Sequence, residues 1–186
     1  TVVYLEGSSY RKPGVRMLIS EDLNTVGAVS GGCVEKEIIH RASSVFLNNQ
    51  SKIITYDGRY KLGCEGILYV LLEPFFISNA FINTFSDASA NRESLQIESY
   101  FSKKDEAFGN FGSVVTFENN KQIEFYKTFT IKDNSKLELF SQIIEPSFKL
   151  IIIGSEHDAV KLCKISCNLG WEVDVITGLK DSKGIK

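Results

Sequence analysis

The last 38 residues hold the pattern that most constrains the fold. Leu150-Ile151-Ile152-Ile153 reads as a fully buried strand, followed by Gly154 and a helix from about His157 to Leu169. Gly170 stands where a left-handed residue ends a helix, and Glu172–Ile176 reads as the next strand. Strand, glycine turn, helix, strand is the first βαβ unit of a doubly wound, Rossmann-like sheet. Such a unit needs further strands and helices on both faces, and the sequence reaches Lys186 before they arrive. The second domain is therefore expected to be incomplete in this sequence. A dinucleotide site would read G-x-G-x-x-G at the turn. In Gly154-Ser155-Glu156-His157-Asp158-Ala159 the second glycine is replaced by Glu156, whose bulk and charge oppose a pyrophosphate. Thr177 stands where a ribose-binding acid belongs. The unit speaks for the fold and against NAD(P).

The expected fold class is α/β, with an N-terminal mixed α+β domain over 1–145 and the start of a Rossmann-like domain over 149–186. Glu145-Pro146-Ser147 marks the boundary, because proline disfavours helix before it. Periodicity predicts strands at Val2–Glu6, Val15–Ile19, Thr25–Val29, Lys52–Tyr56 and Ile67–Glu73. Val34–Leu47 is the best helix of the first half, its apolar stripe formed by Val34, Ile38, Ile39, Ala42, Val45 and Phe46. In the middle, a helix over Asn79–Phe85 and strands at Leu95–Phe101, Ser113–Phe117 and Phe125–Ile131 are expected, reading as scaffold.

Charge narrows the function classes. Lys+Arg 21 against Asp+Glu 23 gives −2, far from the basic excess of a general nucleic-acid binder. With 43% apolar residues a packed core is available and wholesale disorder is excluded. The longest apolar run, Gly66 to Ile77, is broken by Glu73 and Pro74, so no membrane span is expected, and no secretory pattern is present. The chain opens inside a strand at Thr1, so preceding residues are expected. Four cysteines, at 33, 64, 163 and 167, are too sparse for a disulfide scaffold and contain no C-x2-C. A reducing, cytoplasmic setting with free thiols follows. Cys163 and Cys167, four apart on one helix, are expected to be buried packing residues, and Asp158 to cap that helix.

Chemistry concentrates in the first third, which holds eight of the 14 glycines and four of the five arginines. Gly7-Ser8-Ser9-Tyr10-Arg11-Lys12-Pro13-Gly14, with Arg16 just beyond, offers hydroxyls, cations and close backbone approach to an anion. A polar turn with solvated charges is the alternative. Ser30-Gly31-Gly32-Cys33-Val34-Glu35 lies where a strand feeds the best helix, so free amides and the helix dipole offer an anion site. Cys33 falls in that first turn, where a thiol pKa is commonly lowered. The same residues also serve as a plain strand-to-helix turn capped by Ser30. In Tyr56-Asp57-Gly58-Arg59 and Leu62-Gly63-Cys64-Glu65-Gly66, glycines bracket an unhindered cysteine. Glu65 is either an acid–base carboxylate or a surface charge.

Taken in order, Glu6-Gly7-Ser8-Ser9-Tyr10-Arg11-Lys12-Pro13-Gly14-Val15-Arg16-Met17, Gly27-Ala28-Val29-Ser30-Gly31-Gly32-Cys33-Val34-Glu35, and Gly63-Cys64-Glu65-Gly66 leading to Glu73-Pro74 resemble the XdhC/CoxI family. Its members are accessory factors of molybdenum hydroxylases such as xanthine dehydrogenase. Leu150–Asp174 resembles that family's second domain, with Gly154-Ser155-Glu156 departing from its usual Gly-Ala-Gly-His-Asp turn. The resemblance implies a chaperone that binds the molybdenum cofactor (molybdopterin), protects it and delivers it, sulfurated, to a xanthine dehydrogenase-type hydroxylase. A cysteine desulfurase is the implied sulfur donor, and a homodimer is plausible for an unfinished sheet. On this reading Ser8, Ser9, Arg11, Arg16, Gly31, Gly32, Gly63 and Glu65 contribute to cofactor binding, and Cys33 and Cys64 supply soft thiolates to the metal. An NAD(P)-dependent oxidoreductase and a thiol-based sulfur-transfer enzyme are the rival readings.

Overall fold

The structure, a computed structural model, describes residues 1–29, 32–59, 66–130 and 136–178, with the backbone but not the side chain of Cys33. Its first unit is a three-stranded antiparallel sheet of β1 (Val2–Glu6), β5 (Ile67–Leu72) and β4 (Lys52–Asp57), in the order β1-β5-β4. A separate hairpin pairs β2 (Met17–Ile19) with β3 (Thr25–Gly27). The first helix, α1 (Cys33–Asn48), lies against one face of the sheet. Val34, Ile38, Ala42 and Val45 recur at helical spacing and pack with Val2, Ile54, Tyr56, Leu68 and Val70. At roughly 1.5–3 kcal/mol for each large aliphatic side chain withdrawn from water, that stripe is the main term holding α1 in place. Asn49 then adopts a left-handed conformation (φ 52°) and turns the chain back into β4.

Alternation sends the other set of side chains to the opposite face of this sheet. Val3, Ile53 and Leu71 pack there with Phe101, Phe111 and Phe140. Phe101 and Phe140 come from the second sheet and Phe111 directly precedes its strand β7; the sheet is ordered β8-β7-β6-β9, with β6 at Leu95–Phe101, β7 at Gly112–Phe117, β8 at Gln122–Glu124 and β9 at Glu138–Ile144. The first sheet is thus held between α1 and the second sheet. Along β6 the inward residues alternate as Leu95, Ile97, Ser99 and Phe101. α2 (Asn79–Ala90), capped by the Ser78 hydroxyl on the Phe81 amide, covers the Leu95 end through Phe81 and Ala88. The first sheet covers the Phe101 end. Between them Ser99 is wholly buried, and its hydroxyl meets that of Ser113 at 2.7 Å.

Most predicted elements form within a residue or two; the helix predicted at Asn79–Phe85 runs on to Ala90, and two further elements differ. Phe125–Ile131 is not a strand: the short β8 precedes it, and Phe125 instead joins an aromatic cluster, 4.9 Å from Phe75 and 6.4 Å from Phe81 between ring centroids. Ile131 lies outside the described residues. β9 is an element the sequence pattern does not announce. Its apolar Leu139 and Ile143 face outward while Gln142 takes an inward position, which inverts the usual alternation.

The C-terminal unit has the expected order. β10 (Lys149–Ile153) pairs in parallel with β11 (Glu172–Ile176), and α3 (His157–Asn168) connects them. Gly154 (φ 127°) and Gly170 (φ 79°) make the two turns in conformations that favour glycine. The Arg92 guanidinium donates to the Ser147 carbonyl at 2.9 Å and pairs with Glu172, tying this unit to the α2–β6 turn. Lys149 pairs with Glu172 and Asp174 at 2.8 and 2.9 Å. Asp158 is not the cap: Glu156 occupies that position, and Asp158 lies within the first turn. The two cysteines are not buried either. Ser166 takes the inward position, leaving Cys163 half-buried and Cys167 exposed. No helix among the described residues is long and apolar enough to cross a membrane.

Candidate functional site

The glycine-rich segments are assembled by one end of the first sheet. β1 leaves the sheet at Glu6, which stands opposite Ile67, where β5 enters it; Asp57, the last residue of β4, is also opposite Ile67. The Gly7–Gly14 loop, the Gly58-Arg59 turn and Gly66 therefore leave or enter the sheet together. Gly66 is tightly seated. Its carbonyl accepts from the Gly58 amide at 2.9 Å, and a β-carbon on it would stand 2.7 Å from the Ser8 carbonyl oxygen and 2.8 Å from that of Glu6. Only glycine allows the third motif to lie against the first this closely.

On that loop Ser8 and Tyr10 are exposed, and Ser9 and Arg11 are half-buried. The Arg11 guanidinium lies 5.3 Å from the centroid of the Tyr10 ring. Its Nε is buried and has no hydrogen-bond partner among the described residues. A buried charged donor left unpaired is unfavourable, and an oxyanion is the natural group to satisfy it. At the adjoining turn Arg59 grips Asp57 through Nε and Nη2, at 2.9 and 2.6 Å, and holds that carboxyl below the usual carboxylate range.

The N-terminus of α1 faces the same end. α1 returns through Asn49–Ser51 into β4, so its first turn lies over the Asp57 end, and Val34 shares a cluster with Tyr56 and Leu68. Cys33 is its first residue, after Gly32 (φ 104°). The Gly32 amide here is already engaged. Glu35 accepts from the Gly32 N–H at 2.6 Å and from the Val29 N–H at 3.0 Å, closing the helix with its own carboxylate. The Gly32 amide is thus satisfied from within the chain. Gly31, Gly63, Cys64 and Glu65 lie outside the described residues.

Arg16 stands elsewhere. Gly14 and Val15 pair with Val2, so this end of the loop has returned along β1 to the opposite end of the strand. Arg16 Nη1 donates to the Gly14 carbonyl at 2.9 Å and to Gln142 Oε1 at 2.5 Å, while Nε and Nη2 are buried without a partner among the described residues. Burial lowers its pKa, and the nearby Glu73 opposes that. Ser113 donates to Glu73 Oε1 at 2.6 Å, and Oε2 is buried without a partner among the described residues. Burial pushes the Glu73 carboxyl up, against the Ser113 hydrogen bond and Arg16. Glu73, Ser113 and Gln142 do not emerge from the sequence as site residues. The one signal for this cluster is a carboxylate closing a wholly apolar strand, directly before Pro74.

With this geometry in view the comparisons are informative. Residues 1–57, which contain the first two motifs, match the model of the XdhC and CoxI family. Over 94% of its length the chain is 28% identical to a Bacillus subtilis protein named as a probable xanthine dehydrogenase subunit, of which it covers 57%. A crystal structure described as a xanthine dehydrogenase from Bacillus halodurans superposes with a TM-score of 0.71 at 26% identity, over 94% of this chain and 56% of that one. The chain spans little more than half the length of either relative. The XdhC/CoxI match ends at Asp57, the last residue of β4 and part of the sheet end where the motifs meet.

Proposed function

We propose that this chain acts as an accessory factor for a xanthine dehydrogenase-type hydroxylase, binding the molybdenum cofactor as cargo and delivering it to the enzyme. The observation that carries this reading is the seating of Gly66 against Ser8, on the loop that also carries Arg11, whose Nε is buried with no partner among the described residues. The XdhC/CoxI match and the names that the two relatives carry support the choice of recipient.

The cargo is a pterin dithiolene that ends in a phosphate. The donor set suits it. Arg11 presents a buried Nε–H that an oxyanion would satisfy, and the Ser8 and Ser9 hydroxyls lie on the same loop. Because Glu35 already occupies the Gly32 amide, phosphate recognition falls first to this loop and only secondarily to the α1 N-terminus. Cys33 begins α1 above the same sheet end, and Cys64 follows Gly63 in the third motif. Their thiolates would suit molybdenum or a sulfur passed to it by a cysteine desulfurase. Glu65 beside Cys64 would serve as a proton acceptor. The location proposed is the cytoplasm, where free thiols persist.

The test mixes the purified chain with molybdenum cofactor released from a donor enzyme and measures molybdenum co-eluting with protein. Wild type should retain molybdenum and Cys33→Ala should lose most of it. Equal and negligible retention by both would remove the proposal.

A further inference from the structure

Arg16 and Glu73 flank the start of β1. Gly14 and Val15 bond to Val2 on one side of that strand, at 2.8 and 2.9 Å, and Leu71 bonds to Thr1 on the other at 2.8 Å. Arg16 follows Val15, and Glu73 lies two residues beyond Leu71. Both side chains turn toward the second sheet. Arg16 Nη1 donates to Gln142 Oε1 on β9 at 2.5 Å, and Glu73 Oε1 accepts from Ser113 on β7 at 2.6 Å. Ser113 and Phe140 both stand opposite Ser99, so Gln142, two residues beyond Phe140, shares the inward face with Ser113.

The two groups are incomplete in complementary ways. Arg16 Nη1 is saturated, its second proton going to the Gly14 carbonyl at 2.9 Å. Its Nε and Nη2 are buried without a partner among the described residues, and so is Glu73 Oε2. The free atoms are thus two donors on a cation and one acceptor on an acid, and each group acts electrostatically on the other. A neutral carboxyl exerts little pull on a guanidinium, whereas an ionised one in a seam shielded from water attracts it strongly. Ionisation closes the remaining gap and gives all three free atoms partners at once.

We propose that Glu73 and Arg16 form a proton-operated clamp: ionised Glu73 takes the free edge of Arg16 and pins the Gly14 end of the Gly7–Gly14 loop to the second sheet, and protonation opens it. The closed chain of contacts runs from Ser113 through Glu73 and Arg16 to Gln142 and the Gly14 carbonyl. Gly14 is fitted to that end: it has φ 99°, and a β-carbon on it would stand 2.7 Å from Gln142 Oε1. The inference goes beyond the cofactor reading and does not depend on it. The clamp fixes conformation locally without adding to global stability, because withdrawing the charges from water costs more than their attraction returns.

The test follows amide exchange in the full chain at stepped pH from 4.5 to neutrality, each rate corrected for its intrinsic pH dependence. The Thr1 nitrogen, which donates to the Leu71 carbonyl at 2.9 Å, is acetylated, so that Arg16 and Ser113 are the groups left facing Glu73 among the described residues. The Gly14 amide, bonded to the Val2 carbonyl, should become about tenfold better protected as Glu73 ionises, the scale of one hydrogen bond to a charged group. In Glu73→Gln its protection should stay level. Unchanged protection in wild type, or a rise that Glu73→Gln shares, overturns the clamp. A second readout serves if that variant fails to fold: in wild type the Arg16 Nε–H and Glu73 carboxyl-carbon NMR signals should titrate with one shared midpoint. An Arg16 signal that does not move with Glu73 overturns the clamp as well.

Discussion

Gly66 and Ser8 are 58 residues apart in the chain, and a single added carbon on Gly66 would come within 2.7 Å of the Ser8 carbonyl oxygen. The obstruction is backbone, with the Glu6 carbonyl 2.8 Å away on the same side. Neither can rotate aside as a side chain would. Gly66→Ala should therefore push the third motif away from the first and lower stability by about 1–3 kcal/mol, the usual scale for overpacking. Urea denaturation measures it. A variant as stable as wild type would mean that the two segments do not meet.

Glu35 holds the entrance to α1 by accepting from both Gly32 and Val29. Removing its carboxylate in Glu35→Ala leaves two donors to find water and takes negative charge from the positive end of the helix. The expected loss is about 0.5–2 kcal/mol, as for other helix caps. Glu35→Gln keeps one acceptor and should fall between. Equal midpoints for all three proteins would contradict this role.

Glu73 makes stability depend on pH. Burial raises its folded pKa above the ordinary 4.5. From 4.5 upward to that raised value, the folded chain holds a proton that the unfolded chain has released, so stability falls as pH rises across this window. Glu73→Gln keeps an oxygen for the Ser113 hydroxyl and has no proton to lose. Its stability should decline less than that of wild type between pH 4.5 and neutrality, measured by denaturation at stepped pH. Parallel curves for the two proteins would show that Glu73 ionises as it does in water.

The sequence is legible where side-chain periodicity matches burial. β6 forms at the predicted residues because its inward and outward positions alternate between core and surface, β1 because its adjacent valines bury both faces, and Gly170 ends its helix as its conformation requires. Legibility fails at β9, where Ile143 is 62% exposed and Gln142 faces inward. An inward glutamine makes sense only beside Arg16, and that partner is 126 residues away. Phe125 misleads for a related reason: strand propensity marks it, but the rings of Phe75 and Phe81 decide its place. The first candidate loop is readable from its glycines and serines, whereas the engagement of Gly32 by Glu35 is a matter of geometry that spacing alone leaves open.

The account depends most on the meeting of the cysteine motifs at one end of the first sheet. Cys64 is two residues from Gly66, a span of at most about 7 Å of chain. Cys33 begins α1 over the same end. With Cys163 and Cys167 replaced by serine, treatment with a short thiol-bridging reagent followed by peptide mass mapping reads the separation directly. The account predicts an intramolecular Cys33–Cys64 bridge at low protein concentration. Complete single-site modification of both thiols with no bridged peptide would contradict it.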